Sequence, residues 1–135
     1  MEKREIIIDI EPCSAVRMTN SDRWKKENHV NPNLRMRKCV KKYFDFKRKL
    51  LYEFEKNNIN LKDELNIVFY LKIPDSLSSK KKDLLKGSPH KKRPDLDNLV
   101  KAVMDAVRKE DGDIFKIIAE KRYSDKNYPY IKIIV

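Results

Sequence analysis

Between Leu65 and Ile73 the chain alternates large apolar residues with polar or smaller ones. A period of two sustained over about ten positions is typical of a half-buried β-strand. Pro74 follows at once and ends the segment. Because such a strand buries one face, the rest of the chain must supply a layer that covers it.

Two other segments have the spacing of amphipathic helices. The first runs from Lys38 to Asn57, with apolar residues at helical intervals and basic residues over much of the remaining surface. Asn57 and Asn58 end it. The second runs from about Leu96 to Arg108 and places its leucines and valines on one face.

The remaining elements are short. Further strands are predicted at residues 4–10, 114–123 and 128–135, with a polar turn at 124–127 between the last two. Residues 13–37 lack sustained periodicity, and residues 75–94 predict a loop with one helical turn near Lys81–Leu85. The fold class is therefore α/β. We expect a single domain over residues 1–135, a sandwich of a mixed β-sheet packed with helices in the order β-α-β-α-β-β.

The charge balance indicates the kind of partner. Lys and Arg number 32 against 21 Asp and Glu, for a formal net charge of +11, which favours a polyanion and most often nucleic acid. A membrane surface is the competing polyanion, but the basic stretches lack the Trp- and Leu-rich face of an interfacial helix. No apolar run approaches the roughly 20 residues of a spanning helix. We therefore expect no membrane partner.

The cysteines and the N-terminus bear on the compartment. Cys13 and Cys39 are far apart and have no metal-ligand spacing, so neither a zinc site nor a disulfide framework is indicated. The charged start of the chain lacks the apolar length and cleavage site of a signal peptide. These features predict a cytoplasmic protein.

Most of the positive charge lies in two segments. Residues 17–49 hold twelve Lys and Arg against three acids, and residues 80–93 hold seven against one. A charge run taken alone is as often a solvated face, but two such runs flanking an acidic cluster favour phosphate binding. The candidate DNA contacts are Arg17, Lys25, Lys26, Lys91, Lys92 and Arg93.

The acidic cluster begins with Asp95 and Asp97, and continues after the second helix with Glu110, Asp111 and Asp113. Mg²⁺ is held by a few carboxylates together with water and substrate phosphates, so carboxylates set in a basic surface suit a metal-dependent nuclease. A structural alternative exists for each residue taken singly. Asp95 fits a helix cap, and Asp97 fits a first-turn acid favoured by the helix dipole.

Helical geometry adds a discriminating point. At 100° per residue, Asp97, Lys101 and Arg108 fall on one flank of the helix, and Asp95 is free to turn toward them. Asp97 and Lys101 also form an ordinary i,i+4 pair. The helix N-terminus favours phosphate, so a carboxylate, an ammonium and a phosphate site are predicted to share one patch.

The chain contains the motif Arg93-Pro94-Asp95-Leu96-Asp97-Asn98-Leu99-Val100-Lys101-Ala102, followed by Asp105-Ala106, Glu110-Asp111-x-x-Ile114 and Glu120-Lys121-Arg122-Tyr123. This pattern resembles the RusA family of Holliday-junction resolvases, which are most often carried by prophages. The stretch from Ser14 to Lys25 is similar to a phage-borne branch of that family. The resemblance implies a bacterial or phage-encoded homodimer that binds Mg²⁺ and nicks four-way DNA junctions symmetrically. By position it implies Asp95, Asp97 and Asp111 as metal ligands and Lys101 as the lysine required for cleavage.

Two departures from the family pattern stand out. Glu110-Asp111 replaces the usual pair of aspartates, and the connection between the helix and those acids is several residues short. A helix from Leu96 to Arg108 carries the chain roughly 18 Å from Asp97, too far for two residues to bring Asp111 back. Either the helix ends well before Arg108, a mobile turn near residues 108–111 is missing from the chain as given, or the third ligand is Asp113 or comes from another chain. A missing turn is favoured.

The sequence thus predicts a Mg²⁺-dependent endonuclease, with Mn²⁺ as a substitute, that resolves four-way DNA junctions in recombination and repair. The rival hypothesis is a junction-binding module of the same fold that does not cut, which the short connection keeps open. Sensitivity to a chelator separates them. An enzyme acting on a small acidic substrate is disfavoured, because the chain has two glycines and no Gly-rich phosphate loop.

Overall fold

The computed structural model describes residues 3–17, 19, 37–107 and 114–135. The strands are β1 (Glu5–Ile8), β2 (Asp63–Leu71), β3 (Ile114–Tyr123) and β4 (Tyr130–Ile134), and the helices are α1 (Lys38–Lys56), α2 (Ser79–Leu85) and α3 (Leu96–Val107). The predicted order is confirmed, and α2 is the helical turn expected in the 75–94 loop, extended to seven residues.

The strands form one mixed sheet in the order β1-β4-β2-β3. β4 pairs antiparallel with both β1 and β2, whereas β2 and β3 are parallel. The turn between β3 and β4 therefore crosses the end of β2 and does not close a hairpin. Ser124, fully buried in this turn, receives a bond from the backbone of Lys126 and donates to the carbonyl of Tyr128, while its own amide donates to Leu71.

Helices α1 and α3 pack on one face of the sheet and on each other. The alternating residues Leu65, Ile67 and Phe69 of β2 are completely buried beneath them, as the period of two predicts. From α1 the buried residues are Val40, Tyr43, Phe46, Leu50 and Phe54. The predicted α/β sandwich is confirmed, because the apolar face of each of these two helices packs against the sheet.

Helix α1 ends where the sequence predicts. Asn57 caps it, with its side chain donating to the carbonyl of Glu53 at 2.8 Å, and Asn58 adopts a φ of 54°. Asparagine tolerates this left-handed conformation better than most residues, so the chain can turn there toward β2.

The outer edge of β3 is partly covered by the segment 87–90. Gly87 donates its amide to Tyr123, and the amide of His90 donates to Lys121. Gly87 has a φ of 75°, which a residue without a Cβ adopts readily. This pairing brings the basic loop that precedes α3 onto the C-terminal half of β3.

Among the helices of the described ranges, none has the length and apolarity to cross a membrane.

Candidate active site at the start of helix α3

Asp95 and Asp97 lie on either side of the first residue of α3. The carbonyl of Asp95 accepts the amide of Leu99 at 3.2 Å, so Asp95 stands at the helix start as the sequence predicts. Both side chains are exposed, and within the described residues neither carboxylate has a hydrogen-bond or ion-pair partner. Two unpaired carboxylates next to a helix N-terminus are therefore open to a ligand.

The start of α3 is held by two other parts of the fold. The amide of Ala15 donates to the carbonyl of Asn98 at 3.0 Å, which ties the segment after β1 to the first turn of the helix. A shallow cleft results, lined by Ser14, Arg93, Pro94, Asp95 and Asn98. The cleft opens to solvent beside the carboxylate of Asp95.

Lys121 of β3 fixes the loop on the other side. Its Nζ donates to the carbonyls of Lys92 and Pro94, both at 2.6 Å, and its own carbonyl accepts the amide of His90 at 3.0 Å. The two bonds from the ammonium lie on either side of Arg93, and the second holds Pro94, the residue just before Asp95. The strand thus sets the path of the chain into the candidate site.

Lys101 lies one turn after Asp97 and forms its ion pair with Asp105, at 3.7 Å, rather than with Asp97. Asp105 also accepts a hydrogen bond from the buried hydroxyl of Tyr43 at 2.8 Å. Burial and the bond to Asp105 raise the pKa of Tyr43, so its proton stays in place. Lys101 thus pairs with a carboxylate that α1 also holds, and Asp97 has no partner among the described residues.

His90 is half-buried against the ring of Tyr123, with the ring centroids 4.5 Å apart. Burial, followed by the nearby Lys121 ammonium, lowers the pKa of His90. The imidazole is therefore neutral at pH 7, and it does not add to the positive charge of the loop.

The basic residues predicted to contact DNA divide into two groups. Arg17, Lys91, Lys92 and Arg93 are exposed, and the last three adjoin the aspartates. Lys25 and Lys26 lie outside the described residues, as does Asp111. The helix α3 extends to Val107, so the alternative that it ends well before Arg108 is wrong.

In the described ranges no group of three or more metal-ligating side chains forms. The described part of the site thus offers two carboxylates, one ammonium and the end of a helix.

The sequence model of the family Endodeoxyribonuclease RusA matches residues 12–135, nearly the whole chain. The chain belongs to this family. Membership implies endodeoxyribonuclease activity and, at the level of the family, resolution of DNA junctions. No curated protein matches the chain significantly.

Within the range matched by the RusA family, sequence reasoning missed the contacts made by Lys121. The residue forms part of the Glu120–Tyr123 resemblance, but a lysine in a strand gives no local indication that it reaches a loop 27 residues earlier. Sequence reasoning also missed the hydrogen bond between Tyr43 and Asp105, which depends on how α1 packs against α3.

Proposed function

We propose that this chain is a Mg²⁺-dependent endonuclease that resolves four-way DNA junctions by paired nicks, acting in the cytoplasm through one domain over residues 1–135. The observation that carries the proposal is the pair of exposed, unpartnered carboxylates of Asp95 and Asp97 beside a basic loop, in a chain of an endodeoxyribonuclease family. A carboxylate that faces a DNA phosphate weakens DNA binding unless a cation lies between the two groups. The location of Asp95 and Asp97 therefore favours a metal site over a surface that only binds DNA.

The donor set suits Mg²⁺. This ion takes oxygen ligands and keeps several waters, so one or two carboxylates plus a substrate phosphate can hold it. Asp95 supplies such oxygens in the open cleft and Asp97 supplies them in the first turn of α3, and Mn²⁺ has the same preference for carboxylate. When bound, the metal polarises the scissile phosphate and lowers the pKa of a coordinated water.

Lys101 provides a cation one helical turn from Asp97. Its ammonium would stabilise charge on the phosphate or protonate the leaving 3′ oxygen. The contacts of Tyr43 and Asp105 hold this side chain on its flank of α3, which limits the geometries that it samples.

The third predicted ligand, Asp111, is proposed to act in the site of a second copy. Lys121 contacts the loop before Asp95, and seven residues of strand at about 3.3 Å each separate it from Ile114. Asp111 is three residues before Ile114 and reaches at most about 11 Å from it. These limits argue against Asp111 of the same chain as the third ligand, whether or not a turn near residues 108–111 is missing, because they count only the residues from Asp111 to Lys121.

A homodimer through β3 would supply that carboxylate. The segment 87–90 covers the outer edge of β3 only at residues 121–123, so in the described structure residues 114–120 have no neighbouring strand on that side. Phe115, Ile117 and Ile118 are 80%, 48% and 39% exposed there. Antiparallel pairing of two such edges about a two-fold axis near Ile117 satisfies the free backbone groups and buries these side chains.

This arrangement also brings the two sites together. With the axis near Ile117, Ile114 of one copy would lie opposite Glu120 of the other, so the chain before Ile114 would enter the partner beside the segment 87–90 and the loop of Pro94. Each protomer would then complete its partner's metal site. The apolar face of α1 at Leu51 and Tyr52 is the alternative dimer surface.

For the DNA itself, we propose phosphate contacts from Arg17, Lys25, Lys26, Lys91, Lys92 and Arg93. Contacts of this kind set the position of the junction and carry no sequence information.

The deciding experiment is Asp97→Asn. The change is nearly isosteric and keeps a polar first-turn residue, so it should cost only roughly 0.3–1 kcal/mol of stability. We expect cleavage of a synthetic four-way junction in Mg²⁺ to fall by orders of magnitude. Junction affinity measured in EDTA should stay equal or rise, because a negative charge facing phosphate is removed.

Asp75→Asn is the matched control, since Asp75 is also exposed but pairs with Lys72 away from the cleft. It should cut at the parental rate. Cleavage by Asp97→Asn at close to the parental rate would remove Asp95 and Asp97 as ligands. A parent protein that binds junctions but does not cut them in Mg²⁺ or Mn²⁺ would establish the binding module.

A further inference from the structure

A second groove lies between α1 and the segment that follows β1. It is lined by Ile10, Glu11, Cys13, Lys38, Lys41, Lys42, Asp45, Phe46 and Lys49. Four lysines face two acids there, and Asp45 is engaged by Arg48. The groove is therefore a concentrated positive surface, and it contains none of the residues assigned above to the DNA or the metal.

The four lysines form one stripe along α1. At 100° per residue they fall within about 100° of the helix circumference, opposite the buried face at Tyr43 and Leu50. Lys38, Lys41, Lys42 and Lys49 have no ion-pair partner among the described residues. Like charges three and four residues apart on a helix repel each other, so the fold gains nothing from grouping them.

The groove and the aspartate cleft are neighbours along the segment that follows β1. Cys13 lines the groove and the next residue, Ser14, lines the cleft. The amide of Ala15 then bonds to Asn98 in the first turn of α3. A linear polyanion lying along α1 would therefore reach Asp95 by crossing the Cys13–Ser14 segment.

The dimensions match a nucleic-acid backbone. From Lys38 to Lys49 the helix rises about 16 Å, which spans roughly five nucleotides at 3.4 Å each. We propose that this lysine groove holds the phosphate backbone of one junction arm and delivers it to the aspartate cleft. This inference rests on the proposed function.

The test compares two double variants that remove the same charge. Lys41→Gln with Lys42→Gln alters the groove, whereas Lys56→Gln with Lys62→Gln alters two exposed lysines, one at the C-terminal end of α1 and one just before β2. Affinity for a four-way junction is measured in EDTA over a range of salt concentrations, so that no cutting is needed. Thermal melting checks that both variants fold.

We expect the groove variant to weaken binding about tenfold or more near 0.15 M salt and to reduce the slope of log K against log[salt] by up to about 1.8, or about 0.9 for each lost contact. The control should leave both within error. Groove and control variants that behave alike, or a loss of affinity without a change of slope, would overturn the proposal.

A measurement on the unmodified protein covers the case in which the groove variant does not fold. Junction DNA should protect Lys41 and Lys42 from acetylation, read by mass spectrometry, and should leave Lys56 and Lys62 reactive. Equal labelling of all four lysines with DNA bound would refute the groove while leaving the nuclease proposal intact. A parent protein with no affinity for junction DNA would instead refute the proposed function, and the groove with it.

Discussion

Replacing Lys121 with methionine tests whether β3 positions the aspartates. The change keeps the length of the side chain but removes the donor that holds the carbonyls of Lys92 and Pro94, each at 2.6 Å. A hydrogen bond from a charged group contributes about 1.5–3 kcal/mol, and water recovers part of this at the exposed carbonyl of Lys92. We therefore expect the loop conformation to lose about 2–3 kcal/mol, most of it at the half-buried carbonyl of Pro94.

In the proposed site, the loop must be ordered for Asp95 and Asp97 to bind one metal ion jointly. The free energy lost from the loop conformation should therefore weaken metal binding. At about 1.4 kcal/mol for each factor of ten, the Mn²⁺ concentration for half-maximal junction cleavage should rise about 30- to 140-fold for Lys121→Met. The rate at saturating Mn²⁺ should recover most of the parental value. Hydrogen exchange of the Leu99 amide, which bonds to Asp95, should accelerate even without metal.

Two variants accompany this measurement. Lys121→Arg retains a charged donor and should restore part of the metal affinity. Lys116→Met, on the same strand, removes only an exposed ion pair with Glu64 at 4.0 Å and should change neither readout. The positioning argument is refuted if Lys121→Met needs no more Mn²⁺ than the parent and exchanges the Leu99 amide at the parental rate.

Four further predictions follow from the fold. Phe69→Ala in the fully buried centre of β2 should lower the free energy of unfolding by about 3–5 kcal/mol in urea titration. Ser124→Ala should cost about 1–3 kcal/mol in the same assay, because it leaves the amide of Lys126 and the carbonyl of Tyr128 without their partner. The pKa of His90 is lower in the native state than its ordinary value of 6.5, so the native state favours the neutral ring. The stability that this provides is present above pH 6.5 and is lost as the pH falls toward the lowered pKa. His90→Gln should flatten that dependence in melting curves between pH 7.5 and 5.5, and a parallel loss in both proteins would contradict it. Ile117→Lys should convert a β3-paired dimer to a monomer in sedimentation, and an unchanged dimer would shift the interface to α1.

The local elements and the family membership could be predicted from the sequence itself. The alternation in β2, the apolar stripes of α1 and α3 and the start of α3 at Asp95 follow from spacing and capping, which act over a few residues. The motif around Asp97 likewise carries the family resemblance within ten consecutive residues. Such features are readable because their cause is local.

The tertiary structure alone decided which distant residues meet. The sheet order places β4 between β1 and β2, so the last two strands, which adjoin in sequence, do not pair. Lys101 forms its ion pair with Asp105 rather than with Asp97, and Tyr43 of α1 donates a hydrogen bond to the same carboxylate. Lys121 contacts Pro94 because the loop before α3 lies along β3. These contacts form because the helices and the sheet must bury all their apolar faces in one arrangement. No local pattern in the chain encodes that arrangement.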